Sequence, residues 1–517
     1  MSGHVSAASI RMRISDSEPR DDADGSKRSL AFWLLLAAAA SGFVGSVLIA
    51  LASPLLVDGG TTSWWYAVSF PFGVNGNRAG EYLGMALMCA AWLVLGYVTR
   101  SSTIATRREM LVIAVVWVIP LCVAPAVFSR DLYSYLAQGA ILHVGLDPYH
   151  HGPIVLRHLG YGHLVAAVSP FWWRTPAPYG PLFLGIVSLI VAMTGSQLVV
   201  GVIVVRLLAL FGIALVAVFG PRLARLMGAD PVRAIWLGVM SPLAMFELVL
   251  AGHNDALMAG LTVVGVTLAL EGRYRSGIAL CAVASVIKLP AIVAVVFLTF
   301  LWIRSSTTTA QRARAFVESA ALCALVIGGV SAATGVGLGW FSSAVLTVPG
   351  KVHLAITPVT QFGWTIGPFL RVLGAHVSDR DVAAGFGVAA DIALVVFGAL
   401  LLYRTTRVNV VVNLGVFFLL AAFFGPAAWP WYFIWGLALL ACVTRTQRSF
   451  AIPGLIVISV FLVKPDGILA LPVGSSPIVL VIYLLLAALA ISVWRSRTGA
   501  GAELGEPGVR PAVVDSR

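Results

Sequence analysis

Leu111-Val112-Ile113-Ala114-Val115-Val116-Trp117-Val118-Ile119-Pro120-Leu121-Cys122-Val123-Ala124-Pro125-Ala126-Val127 is followed at once by Phe128-Ser129-Arg130-Asp131-Leu132-Tyr133-Ser134-Tyr135. The first run is apolar and uncharged, the pattern of a membrane helix. The second places an Arg-Asp pair at its end, where ionisable groups are costly and usually functional. An interfacial anchor explains Arg130, which can snorkel, and Tyr133, which suits an aromatic belt. It does not explain Asp131. Nor does it explain the continuation through Gln138 to Gly145-Leu146-Asp147-Pro148-Tyr149-His150-His151-Gly152-Pro153.

Outward from this stretch the whole chain is apolar. Of 517 residues 59% are hydrophobic and 11% charged, against roughly 25% charged in soluble domains. The fold class is therefore an all-α polytopic membrane protein, a multi-span helical bundle of about twelve to fifteen spans. The five cysteines lie in apolar runs without CxxC spacing. They read as small core residues and indicate neither disulfides nor a cysteine metal site. The net charge of +12 is concentrated in short loops, a mark of membrane orientation; no nucleic-acid partner is implied. Residues 1–29 are polar and aperiodic, expected to form a disordered cytoplasmic tail. Residues 30–495 form the transmembrane unit, and 496–517 a second tail.

Apolar span cores fall at 30–52, 82–98, 111–127, 199–219, 234–250, 256–270, 317–333, 388–403, 414–424, 432–443, 452–463 and 478–493. The run 278–303 is broken by Lys288-Leu289-Pro290, giving one kinked helix or two short ones. Placing the Lys/Arg-rich loops in the cytoplasm makes the others external: 53–81, 129–179, 252–255, 335–385, 425–430 and 464–472. The scheme closes if 278–303 dips outward at Lys288 and returns, and if 181–194 does not cross. Polar, aromatic-rich segments then face one compartment, which suggests a site at the outer surface of the cell membrane.

Several residues there can carry chemistry. Asp131 suits a general base or a cation ligand, against a plain role as helix cap or ion-pair partner of Arg130. Asp147-Pro148-Tyr149-His150-His151-Gly152-Pro153 reads first as a turn-rich loop, expected to shape the loop and hydrogen-bond sugar rather than bind metal. Trp172-Trp173 through Tyr179 offer apolar ring faces to sugar C–H groups, or form a belt. Gly252-His253-Asn254-Asp255, with Glu247 upstream, puts more polar groups in a tight hairpin than a turn needs. Lys288 is a lone cation that must snorkel or meet an anion, a lipid phosphate among the candidates. Trp429 and the 335–385 loop (His353, Gln361, Trp364, Arg371) are belt residues or the rim of a groove. No P-loop, dinucleotide fingerprint, HExxH or nucleophile elbow is present.

Arg130-Asp131-Leu132-Tyr133-Ser134-Tyr135 with Gly145-Leu146-Asp147-Pro148-Tyr149, then Ala177-Pro178-Tyr179-Gly180-Pro181 and Gly252-His253-Asn254-Asp255, resembles the actinobacterial polyprenol-phosphomannose-dependent α-1,6-mannosyltransferases, most closely the MptB type. These are multi-span GT-C glycosyltransferases. The resemblance implies a polyprenyl-phosphate-mannose donor and a mannan glycolipid acceptor, on the route to lipomannan and lipoarabinomannan. It also implies inverting transfer at the outer face, with no cofactor and no metal. Carried onto this chain, Asp131 is the base for the acceptor's 6-hydroxyl, and Arg130 and Lys288 are candidates for the donor phosphate. Tyr133, Gln138, Asp147, Tyr149, His150, Tyr179, His253, Asn254, Asp255 and Trp429 are candidates for the sugars. Within that reading a related arabinofuranosyl- or phosphatidylinositol-mannoside-elongating transferase is the rival. A lipid or sugar transporter would instead predict repeated halves, and no convincing repeat is seen.

Overall fold

The computed structural model describes residues 20–57, 73–101, 104–195, 197–341, 357–425, 428–465, Gly467 and a few positions between 477 and 484. The tail before residue 20, His353, most of the span read over 478–493 and the C-terminal tail lie outside the described residues. Among the described residues there are helices and turns but no strands. That is the form in which a chain satisfies its own backbone inside a membrane.

The first helices are α1 (Arg20–Val57), α2 (Gly73–Ser101), α3 (Arg107–Val123), α4 (Asp131–His143), α5 (Gly162–Ala167), α6 (Pro181–Thr194) and α7 (Leu198–Leu226). Then come α8 (Pro231–Gly238), a π-helical turn (Ala244–Leu250), α9 (Asp255–Leu270), α10 (Tyr274–Ser285), α11 (Ile292–Ser305) and α12 (Thr309–Ala333). The last are α13 (Pro358–Val372), α14 (Asp379–Tyr403), α15 (Val410–Phe424), α16 (Ile434–Leu440), α17 (Thr444–Arg448) and α18 (Ala451–Val460). Helix α1 starts at Arg20, so it reaches back into the segment read as a tail.

Five helical stretches are long and apolar enough to cross a membrane: Arg28–Ser53, Gly73–Ser101, Leu198–Leu226, Thr309–Ala333 and Asp379–Tyr403. The π turn and α9 pass the same test together but meet at a 113° bend. The other apolar segments are shorter, so the spans read from hydropathy at 278–303, 414–424, 432–443 and 452–463 are built from short or broken helices. Small residues let these helices approach closely, as membrane packing requires. A Cβ on Gly260 would overlap Gly212 of α7, and one on Gly277 would overlap Gly265 of α9.

The bundle has two chemically distinct ends. At one, Arg222 pairs with Glu271, Arg275 with Glu318, and Arg304 donates to the Tyr403 carbonyl. Arg100 and Arg233 both reach the Gln447 carbonyl at that same end. The other end holds Asp131, the 252–255 hairpin and Lys288. It lies at the opposite end of α9, on the order of 20 Å away at 1.5 Å per residue. Helices α10 and α11 form a hairpin whose tip is the Lys288 break. The Tyr274 ring at the start of α10 stacks on Trp302 near the end of α11, centroids 5.7 Å apart. Helix α6 begins beside that tip, where Gly180 N donates to the Ile287 carbonyl at 2.9 Å. It runs into α7, whose Gly201 meets Leu136 of α4. Both ends of α6 therefore lie toward the Asp131 end of the bundle.

Candidate active site

Helix α3 opens with a capping box between Thr106 and Glu109 and ends at Ala124, whose extended backbone precedes Pro125. The chain then makes a strained turn. Phe128 has φ 67°, a conformation costly for a residue with a Cβ. It is held by its own N–H donating to the Pro465 carbonyl at 2.9 Å and by its ring against Phe246. That turn delivers Asp131 as the first residue of α4, its backbone N–H donating to Ser129 Oγ at 3.0 Å. The Asp131 side chain keeps 17% of its surface open. Arg130 caps the helix, its carbonyl accepting from the Tyr133 and Ser134 N–H groups.

The π turn brings up the second half. It runs into Gly252, which has φ +67° and lies against the Leu132 side chain, where a Cβ would meet carbon at 2.8 Å. His253 is fully buried, its ring stacked on Trp431 with centroids 4.0 Å apart. Trp431 in turn stacks on Trp429 at 4.9 Å. His253 Nδ1 lies 2.7 Å from the Glu247 carbonyl, so this nitrogen carries the proton and donates. His253 Nε2 then faces Asp131 Oδ2 at 3.7 Å. The Asn254 backbone N–H points at the Tyr135 hydroxyl, 3.4 Å away. Both polar atoms of the Asn254 side chain are buried without a hydrogen-bond partner, as is Gln138 Oε1 of α4.

Lys288 meets its anion within the protein. Its Nζ donates to both Asp255 oxygens, and the Trp435 indole N–H donates to the same carboxylate. The ammonium also lies 4.5 Å above the Tyr432 ring. Asp255, considered from sequence as a sugar ligand, thus has both oxygens engaged. The Lys288 ammonium is engaged as well, by that carboxylate and by the Tyr432 and Trp435 rings.

The 147–180 loop is organised by its own hydrogen bonds. Asp147 accepts from the Tyr149 N–H at 2.8 Å and pairs with His150 Nδ1 at 2.6 Å, with His150 at the surface. Tyr149 is buried and donates through its hydroxyl to the Tyr179 carbonyl at 2.9 Å. Burial, with the Asp147 carboxylate adding to it, pushes the Tyr149 phenol up, so it remains a donor. The Tyr179 ring packs edge-on against Tyr135 of α4. Of the residues singled out from sequence, Asp131, His253, Asn254, Asp255 and Lys288 converge. Tyr149 and Tyr179 brace that cluster, Trp429 extends its aromatic wall, and His150 stands apart. Among the described residues no three His, Cys, Asp or Glu side chains converge as metal ligands.

A partly open carboxylate beside a buried imidazole that stacks on Trp431 suits removal of a proton from a hydroxyl. Residues 36–304 match a family model described as alpha-(1->6)-mannopyranosyltransferase, N-terminal domain, and 356–495 match the MptB C-terminal domain. Alpha-(1->6)-mannopyranosyltransferase A of Mycobacterium tuberculosis is 34% identical over 448 residues, 82% of this chain and 84% of that one. The chain belongs to the alpha-(1->6)-mannopyranosyltransferase family. This mannosyltransferase is also 30% identical to the A enzyme of Corynebacterium glutamicum over 384 residues, covering 68% and 76% of the two chains. It is 31% identical to the B enzyme of the same organism over 391 residues, covering 69% and 63%. The family is of the GT-C type, in keeping with the all-helical bundle. No solved structure matches the chain.

Sequence reasoning passed over one residue that builds the site of this mannosyltransferase. Arg206 of α7 is buried, and its guanidinium donates to the carbonyls of Cys122, Ala124, Pro125 and Leu250. It joins the end of α3, which leads to Asp131, to the end of the π turn, which leads to His253. A lone Arg inside the apolar run 199–219 was the available signal.

Proposed function

We propose that this mannosyltransferase takes mannose from polyprenyl-phosphate-mannose and places it on the 6-hydroxyl of a growing α-1,6-mannan. The acceptor is a mannan glycolipid of the lipomannan and lipoarabinomannan type. The observation that carries this reading is the position of Asp131, partly exposed at the head of α4 and backed by His253. Direct displacement on a β-linked donor gives an α-linked product in one step, and that step needs one base at the nucleophile. Asp131 fills that role. Charge developing on the leaving phosphate needs fixed cations. Arg130 and the Lys288 ammonium are the cations at hand. Asn254 and Gln138, with buried polar atoms that have no hydrogen-bond partner, suit sugar hydroxyls. The site end faces away from the cytoplasm in this reading, because the arginine-rich end is the one retained inside. Residues 30–495 act as one membrane-embedded catalytic unit between two cytoplasmic tails.

The test is transfer of labelled mannose in membranes expressing the full chain, from polyprenyl-phosphate-mannose to a short α-1,6-mannoside. Wild-type transfer that falls at least roughly a hundredfold in Asp131→Asn, at equal protein, is the expected result. Full activity in the variant removes Asp131 as base. Failure of the wild type with this donor, and success with a nucleotide-linked mannose, overturns the donor.

A further inference from the structure

One buried acid at the site has no part in the chemistry above. Glu247 lies within the π turn with its side chain 1% exposed. Neither of its carboxyl oxygens has a hydrogen-bond partner. Glu247 Oε2 stands 3.7 Å from His253 Nδ1, on the side of the ring opposite Asp131. The imidazole is thus held between two carboxyl groups, one sealed in the protein and one partly exposed. π-Helical turns recur at functional sites. This one presents both the backbone carbonyl and the side chain of Glu247 to the same nitrogen.

The other charged and titratable groups around the series are accounted for. Asp255 and Lys288 neutralise each other at the head of α9. Arg206 is engaged with the carbonyls beneath the turn. Arg130 adjoins Asp131 at the head of α4. The phenols of Tyr135 and Tyr432 lie beside Asn254 and Lys288.

We propose that Glu247 is a positioning residue for proton transfer, acting through His253. The inference rests on Asp131 being the base. In the transfer step the acceptor oxygen bonds the anomeric carbon as the bond from that carbon to the phosphate oxygen breaks. The electron pair leaves on the phosphate, and the hydroxyl proton passes to Asp131. His253 Nε2, unprotonated and facing Asp131, takes that proton over, and the Glu247 carboxylate stabilises the resulting imidazolium. Asp131 is thereby restored as a carboxylate while product forms, and the proton later leaves His253 for water by way of the partly exposed Asp131.

The experiment compares Glu247→Gln, Glu247→Asp, His253→Gln and the Glu247→Gln/His253→Gln double variant in membranes, each as a pH profile of kcat and KM. The reference is whichever mannosyl transfer the wild type performs, from the lipid donor or a nucleotide-linked one, so failure of the donor assignment is read separately. In Glu247→Gln, kcat is expected to fall roughly tenfold to a hundredfold at little-changed KM. Its acid limb should move to lower pH, because the pair becomes harder to protonate. Glu247→Asp restores part of both effects, and Glu247→Gln adds nothing once His253 is Gln. An unmoved acid limb in Glu247→Gln overturns the proposal, as does a loss fully additive with that of His253→Gln. If Glu247→Gln does not accumulate, the acid limb of Glu247→Asp and His253→Gln decides, and a wild-type limb in both overturns it.

Discussion

Lys288 Nζ sits 2.8 and 2.7 Å from the two carboxylate oxygens of Asp255, although 33 positions separate the residues in the chain. The pair fastens the tip of the α10–α11 hairpin to the head of α9, one residue beyond Asn254. Both groups are almost fully removed from solvent. Removing one partner leaves a buried charge uncompensated, which costs about 3–5 kcal/mol, whereas replacing both with apolar groups is far cheaper. Asp255→Leu or Lys288→Met alone should therefore lower the thermal stability of the purified protein sharply, and the double variant should recover much of it. Recovery stays incomplete because the Trp435 indole loses its acceptor. Equal stability of all three variants would contradict the pairing.

Arg206 supplies a second test. In Arg206→Met, several buried carbonyls lose their only described donor, each at about 1–3 kcal/mol. Arg206→Lys keeps the charge but not the planar fork that reaches two helix ends at once. Thermal unfolding should rank wild type above Lys above Met. Transfer per molecule should fall further than stability alone predicts, because Asp131 and His253 hang from the two ends the guanidinium joins. A Met variant as stable as wild type would show that these hydrogen bonds contribute little.

Much of the site was legible because ionisable residues stand out against an apolar chain. Asp131, the 252–255 hairpin and Lys288 all announced themselves that way, and the break at Lys288 marked the hairpin tip. Arg206 carried the same signal but sits mid-run, where no neighbouring polar residue drew notice to it. Glu247 was visible without a role, since only the π turn aims it back at His253. Trp435 could not be told from a belt residue, because the hydrogen bond to Asp255 depends on packing across 180 residues. The positive φ of Phe128 leaves no trace in composition. Asp147 and His150 read as a turn-rich loop with sugar hydrogen bonding, and the structure pairs them with each other within that turn. The short helices were harder than the long ones, since an apolar stretch of ten to seventeen residues can end inside the bundle.

Tyr149 gives a pH-dependent prediction. Its buried phenol is held above the ordinary value, burial being the main cause. The unfolded phenol ionises near pH 10, so the folded chain holds the proton more tightly. The stability this provides is complete below that pH and is lost as pH rises through the raised native value. Tyr149→Phe removes the bond to the Tyr179 carbonyl and should cost about 1 kcal/mol at neutral pH. The deficit of the Phe variant relative to wild type should grow smaller with rising pH, when the two are unfolded by heat across the alkaline range. A constant difference across that range would place the phenol in solvent.

Gly252→Ala separates geometry from chemistry at the head of the hairpin. The backbone at this position has φ +67°, where a Cβ costs about 1 kcal/mol or more. The added carbon would also press on Leu132, the residue after Asp131. The strain can be relieved by moving the hairpin away from α4, which lengthens the gap between His253 and Asp131, or by shifting Leu132 and with it Asp131. Either route disturbs the pair while leaving every polar group in place. Transfer should drop roughly tenfold or more, since small displacements of catalytic groups are expensive, with only modest loss of protein from the membrane. Unchanged transfer would mean that the His253–Asp131 distance tolerates displacement, and the series from Asp131 to Glu247 would lose its geometric basis.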